Sequence, residues 1–215
     1  MKLTPNPNRS VSPYYLAYLI PATIFIALAI AVVSHRQIWF DQPIMQFFGN
    51  LRSPNHTVLF HLITDVGSTP VVLVSVAILG FGLISKRKHF ELGIITAGVL
   101  GAVVLAYVFK VIIGRVRPSY LSHLVVETGQ SFPSGHSLIS SAFALAIIYL
   151  VWNTKWRYLA LTLGVMYALA VGASRIYLGV HYPSDVLAGW CLSLLLIGAI
   201  AHWYIPFAKA SDIAQ

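Results

Sequence analysis

Two histidines, one carboxylate and four cations fall in three short polar blocks of an otherwise apolar chain. The blocks are Lys110 to Pro118 (KVIIGRVRP), Phe132 to Ser137 (FPSGHS) and Ser174 to Asp185 (SRIYLGVHYPSD). Lys110, Arg115, Arg117 and Arg175 are the cations, His136 and His181 the imidazoles, Asp185 the carboxylate. Only 9% of the chain is charged and the mean hydropathy is +0.78. Charge beside hydrocarbon is costly, so groups gathered there are functional candidates. This set suits phosphoryl transfer, in which the equatorial oxygens of a phosphate are neutralised while phosphorus is attacked in line.

Lys110, Arg117 and Arg175 are the expected phosphate-binding cations, arginine's planar fork being suited to bidentate contact. Backbone amides of Ser134 and Gly135, at a helix start, add an anion site at a positive dipole end. Gly135 lets the backbone come close. His181 is the expected nucleophile, because Asp185, four residues on, can accept from one ring nitrogen and leave the other's lone pair facing phosphorus. His136 then protonates the departing oxygen and later takes a proton from water.

Taken singly, each residue has a plainer use. Lys110 can snorkel from a helix end, Arg117 can be an interfacial cation, and Ser134 can cap a helix behind Pro133. His136 can be a satisfied buried histidine, and His181 with Asp185 can be a structural pair. Their combination favours catalysis. A metal-dependent phosphatase needs a cluster of carboxylates and histidines, whereas only Glu127 and Asp185 stand in or between the blocks. No metal and no cofactor are expected.

The elements that must position these groups are membrane helices. Six windows free of Asp, Glu, Lys and Arg run from Ser10 to His35, Val66 to Ser85, Leu92 to Phe109, Thr128 to Thr154, Tyr158 to Ser174 and Val186 to Ala208. Each can cross a hydrocarbon core of about 30 Å with at most modest help from its flanks. The expectation is an all-α, polytopic membrane protein with six transmembrane helices in one bundle. The first window exceeds the apolar core of a secretory signal and is read as a retained helix. The segment from His35 to His56 mixes apolar and polar residues, which suits a helix lying in the interface or a loop packed on the bundle. Gly93, Gly98 and Gly101 permit close helix contact. Trp152, Trp156, Trp190, Trp203 and Tyr204 read mostly as an aromatic belt.

Lys2 and Arg9, Lys86 to Lys88, Lys155 with Arg157, and Lys209 fall on one side of the zigzag, which the positive-inside rule makes cytoplasmic. Both termini are then inside, with residues 1–13 a lead-in, 14–208 the membrane domain and 209–215 a tail. All three polar blocks meet at the outer membrane face. The net charge of +8 is shared between topology and the blocks, so nucleic acid binding is not expected. Cys191, the lone cysteine, excludes an intramolecular disulfide and reads as packing.

The three blocks resemble the type 2 phosphatidic acid phosphatase superfamily, whose motifs are K-x6-R-P, P-S-G-H and S-R-x5-H-x3-D. Lys110 through Arg117-Pro118, Pro133 to His136, and Ser174-Arg175 through His181 to Asp185 match them without departure. The resemblance implies a metal-independent membrane phosphatase acting through a phosphohistidine. Its implied substrates are lipid phosphates or prenyl diphosphates, such as phosphatidic acid, phosphatidylglycerophosphate or undecaprenyl diphosphate, met among membrane lipids of a bacterial-type plasma membrane. No obligatory protein partner is evident. The loop carrying Tyr120, His123, Glu127 and Gln130 borders the site and is either a head-group selector or a plain connection. Alternatives are transfer to another lipid, a haloperoxidase like the family's soluble relatives, and a transporter that uses the cations as a binding site.

Overall fold

The structure is a computed structural model that describes residues 13–204, and among these it is all helix, without a strand. In chain order the helices are α1 (Pro13–Val33), α2 (Asp41–Asn50), α3 (Pro54–Val66), α4 (Thr69–Ser85), α5 (His89–Ile113), α6 (Gly135–Val151), α7 (Arg157–Tyr177) and α8 (Pro183–Ala199). A π-helical turn, Ile200–Tyr204, continues α8. The six charge-free windows correspond to α1, α4, α5, α6, α7 and α8. Residues 1–12 and 205–215, which hold most of the expected lead-in, the tail, Lys2, Arg9 and Lys209, lie outside the described residues.

Two helices were not among the six. In α2, Asp41 and Met45 are buried while Ile44 and Phe47 face outward, so the segment after His35 contains a two-sided helix rather than a loop. α3 follows directly, started by Ser53, whose hydroxyl accepts from the His56 amide, with Pro54 in the first turn. The fourth window is also shorter than expected: residues 128–134 form a loop, and α6 begins at Gly135.

α6 is the hub, with α5, α7 and α8 packed on it. Ser137, Ser140, Ser141, Ala142, Ala144 and Ala146 are buried along it, and such small residues let neighbouring helices approach. Ser141 Oγ donates to Ser193 Oγ at 2.8 Å, tying α6 to α8. A methyl group at Gly98 would lie 2.7 Å from Ile197 Cδ1 and one at Gly101 3.2 Å from Leu196 Cδ1, so these glycines do admit α8 against α5.

The outward surface is apolar. Ile78, Phe81, Tyr107, Val111, Leu163 and Met166 are each more than half exposed, a surface unsuited to water and matched to hydrocarbon. α5, α7 and Pro183–His202 are long and apolar enough to cross a membrane, α3 and α4 pass the same test together with a 48° bend, and α6 and Tyr18–Val33 are shorter apolar helices. This marks a membrane protein. Trp152 and Trp156 are exposed near the α6–α7 turn, as belt residues would be. Trp190 is a correction: its ring packs on α7, where a methyl group at Gly172 would meet Cζ2 at 2.5 Å. Cys191 is buried and free.

Candidate active site

Each candidate side chain lies at or just beyond a helix end. α5 stops at Gly114, whose φ of +65° is left-handed and whose amide donates to Lys110 O at 3.0 Å. That closure leaves Lys110 in the last turn and sends Arg115 to Arg117 out of the helix. Lys110 Nζ donates to Gln130 O at 2.6 Å. Arg117 ties down the following loop, donating to the carbonyls of Thr128, Gly129 and Val180 at 2.9–3.0 Å.

α6 starts after the cis peptide between Phe132 and Pro133. Ser134 is its N-cap, the side chain accepting from the Ser137 amide at 3.4 Å and the Ser137 hydroxyl at 3.0 Å. The expectation that the Ser134 amide helps to hold an anion is corrected: that amide donates to Asp185 O at 3.0 Å, joining α6 to α8. Unpaired first-turn amides are left to Gly135 and His136. A methyl group at Gly135 would sit 4.0 Å from Lys110 Cε, so the lysine stem lies against the opening of α6.

Arg175 occupies the last turn of α7 and is 1% exposed. It donates through Nη1 to Thr64 Oγ1 and through Nη2 to Glu127, while its buried Nε has no partner. α3 can offer Thr64 because Tyr177 anchors it: the ring stacks on Phe60 at 4.1 Å and its hydroxyl bonds Thr57 Oγ1 at 3.0 Å. Past α7, Gly179 turns the chain at φ +81°, where a side chain would collide with Ser122 O. His181 follows. Asp185, at the third position of α8, accepts from the Tyr182 amide at 2.9 Å, which fixes the carboxylate beside the imidazole.

The two faces of the His181 ring have different company. Nδ1 is 3.5 Å from Asp185 Oδ2 without a formed hydrogen bond, and Nε2 is 3.4 Å from Arg117 Nη1. Catalytic hydrogen bonds are often this long before substrate binds. His136 and His181 share the same four charged neighbours, Arg175, Arg117, Lys110 and Glu127, which puts both imidazoles in one cluster. Burial, then Arg175, Arg117 and Lys110, hold the His181 imidazole well below its ordinary pKa, so it is neutral and carries a lone pair at neutral pH. For Glu127, burial pushes upward but Arg175, His136 and Arg117 prevail and hold its carboxyl below the usual value.

Residues 90–208 match the profile of the PAP2 superfamily. The chain belongs to the PAP2 superfamily. Phosphatidylglycerophosphatase B of Bacillus subtilis is 34% identical over 178 residues, covering 80% of this chain and 87% of that protein. An undecaprenyl-diphosphatase of Sulfolobus acidocaldarius is 38% identical over 117 residues, 51% of this chain and 53% of its own length. Among solved structures, a transmembrane PAP2-type phosphatidylglycerolphosphate phosphatase from Bacillus subtilis superposes with a TM-score of 0.77 at 28% identity, over 86% of this chain and 96% of its own.

The PAP2 match contains all three polar blocks, and all eight expected site residues lie at the adjoining ends of α5, α6, α7 and α8. Among the described residues no group of three His, Cys, Asp or Glu side chains is placed to hold a metal ion. Four further residues enter the site's network: Glu127, Arg115, Thr64 and Asp41. Glu127 and Arg115 had a signal, being charges in or between the blocks. Thr64 and Asp41 had none.

Proposed function

We propose that this PAP2 protein is a membrane lipid phosphatase that hydrolyses a lipid phosphate or diphosphate through a phosphohistidine formed on His181. The observation that carries the reading is the His181 ring: one nitrogen faces a buried carboxylate and the other faces the cation cluster. Phosphate oxygens meet Lys110, Arg117, Arg175 with its unpaired Nε, the first-turn amides of α6 and the Ser134 hydroxyl. The Nε2 lone pair attacks phosphorus, the bond from phosphorus to the lipid-side oxygen breaks, and His136 gives that oxygen a proton. Asp185 accepts from Nδ1–H and stabilises the cationic ring. Water then attacks, His136 takes its proton, and the P–N bond breaks to release phosphate.

The topology proposed with it has six spans within one membrane domain, residues 14–208. Lys86, Arg87 and Lys88 precede α5, and Lys155 and Arg157 lie at the α6–α7 turn, so both groups sit at the helix ends remote from the site. Positive residues favour the cytoplasm, which supports cytoplasmic termini and a site at the outer face, within reach of a head group anchored by its tail. The Bacillus relative's name favours phosphatidylglycerophosphate; the Sulfolobus relative's favours undecaprenyl diphosphate.

The test is release of inorganic phosphate by purified protein in detergent, with chelator present, from phosphatidylglycerophosphate, phosphatidic acid and a prenyl diphosphate. Turnover of at least one, abolished by His181→Ala, is expected. Turnover by His181→Ala at the wild-type rate, or activity lost to chelator and restored by a divalent ion, would contradict the mechanism.

A further inference from the structure

Arg115 stands in the first polar block, yet its donors go elsewhere than to phosphate. Nη1 donates to Asp185 Oδ1 at 2.6 Å and Ser184 Oγ at 2.7 Å, and Nη2 donates to Asp41 Oδ2 at 2.8 Å. The guanidinium lies 3.7 Å over the Tyr182 ring. Asp41, from α2, is held in turn by Ser184, whose amide donates to Oδ1 at 2.9 Å and whose hydroxyl donates to Oδ2 at 2.7 Å. One guanidinium thus bridges two carboxylates 144 positions apart in number (185 − 41) and joins α2 to the start of α8.

We infer that Arg115 is a positioning residue for the hydrolysis proposed above: it keeps Asp185 ionised and aimed at His181, and Asp41 keeps Arg115 in place. Asp185 is sealed from water, and a carboxylate so placed without a cation takes up a proton. Protonated, it no longer accepts reliably from His181 Nδ1–H, and the lone pair on Nε2 is no longer assured. With Arg115 on Oδ1 and the Tyr182 amide on Oδ2, the carboxylate cannot swing away from the imidazole. The pairing of two carboxylates with one guanidinium also leaves negative charge beside the ring, which becomes cationic when phosphorylated. A lysine in this position has no fork with which to hold both acids.

The charged and titratable groups that face Asp185 are Arg115, Asp41, Lys110, Arg117, Tyr182 and His181, with the Ser131 hydroxyl from the loop before α6. Of these, Arg115 makes the closest contact.

The inference rests on the phosphatase reading, and the experiment separates the two. kcat and KM for a lipid phosphate are measured against pH for the wild type, Arg115→Met, Arg115→Lys and Asp41→Asn. A wild type that releases no phosphate from any lipid phosphate defeats the phosphatase reading itself. With an active wild type, Arg115→Met is expected to lower kcat about 10- to 100-fold, the range for partners that orient a reacting group, with KM held within about twofold. Its acid limb should move upward by about one pH unit or more, because Asp185 then protonates more easily. Arg115→Lys should shift the limb in the same direction by less, and it carries the test if Arg115→Met does not fold; Asp41→Asn, which loosens Arg115 but removes a like charge shared with Asp185, should lower kcat with the limb moved downward. Three results overturn the inference: kcat falling equally at every pH with the limb unmoved, KM rising with kcat retained, or a wild-type profile in Arg115→Lys and Asp41→Asn.

Discussion

Gly189→Ala tests the packing that sets the site without touching any reacting group. Gly189 lies in α8 against the first turn of α6. A methyl group there would fall 3.0 Å from both Ser134 O and Leu138 N, and 3.2 Å from Ser137 Cβ. Two of these neighbours are backbone atoms and cannot rotate aside. Normal non-bonded separation is about 3.5 Å or more, so α6 must retreat by roughly 0.3–0.5 Å. Overpacking of this kind costs about 1–3 kcal/mol, against a gain of about 1 kcal/mol from replacing a helical glycine, which leaves a net loss of about 0–2 kcal/mol. The catalytic effect is larger in proportion, because the displaced turn carries His136 and the α6 amides and donates from Ser134 to Asp185 O. If 1 Å of misplacement costs about 100-fold, half of that costs about tenfold in kcat. The assay is phosphate release with a thermal melt in the same detergent. The control is Gly82→Ala, since nothing stands within 4 Å of that position and the change should be neutral or stabilising. A Gly189→Ala enzyme with wild-type kcat and melting point would refute the reasoning.

Two further predictions follow from the charges. The His181 imidazole has its folded pKa lowered by burial and nearby cations, so the unfolded chain binds its proton first. Stability is therefore complete above about pH 6.5 and is lost as pH falls below it. The melting point should drop between about pH 7 and pH 5, less steeply in His181→Asn; parallel curves for the two proteins would contradict this. Glu127 contacts Arg175 and Arg117, where phosphate oxygens are proposed to bind. Glu127→Gln should tighten inhibition by orthovanadate about two- to fivefold, the worth of a partly screened charge contact; unchanged or weaker inhibition would remove Glu127 as a competitor for those guanidinia.

The residues that do the proposed chemistry were legible because each sits at a helix end in a type-and-spacing pattern that an apolar chain has little other reason to contain. The charge-free runs gave away six helices for the same reason. What escaped depends on contacts distant in sequence. Asp65 interrupts the apolar run before α4, so α3 was hidden, and with it the Thr64 support for Arg175. Asp41 reads as one polar residue of a two-sided segment until α2 brings it to Arg115, 74 positions later. The Ser134 amide looked free for an anion because a helix start leaves its amides unpaired; the approach of α8, permitted by Gly189, takes that one for Asp185 O. The 128–134 stretch looked like part of a span since it lacks charge, although Gly129, at φ +72°, leaves helical geometry and α6 does not begin until Gly135.

The measurement closest to the central claim is the site and amount of covalent phosphate on the protein. After brief mixing with a radiolabelled lipid phosphate and quenching in alkali, His136→Ala should hold an acid-labile phosphoryl group on His181, and His181→Ala should hold none. Labelling of His181→Ala to the level of His136→Ala, or phosphate recovered on a residue other than His181, would contradict the account.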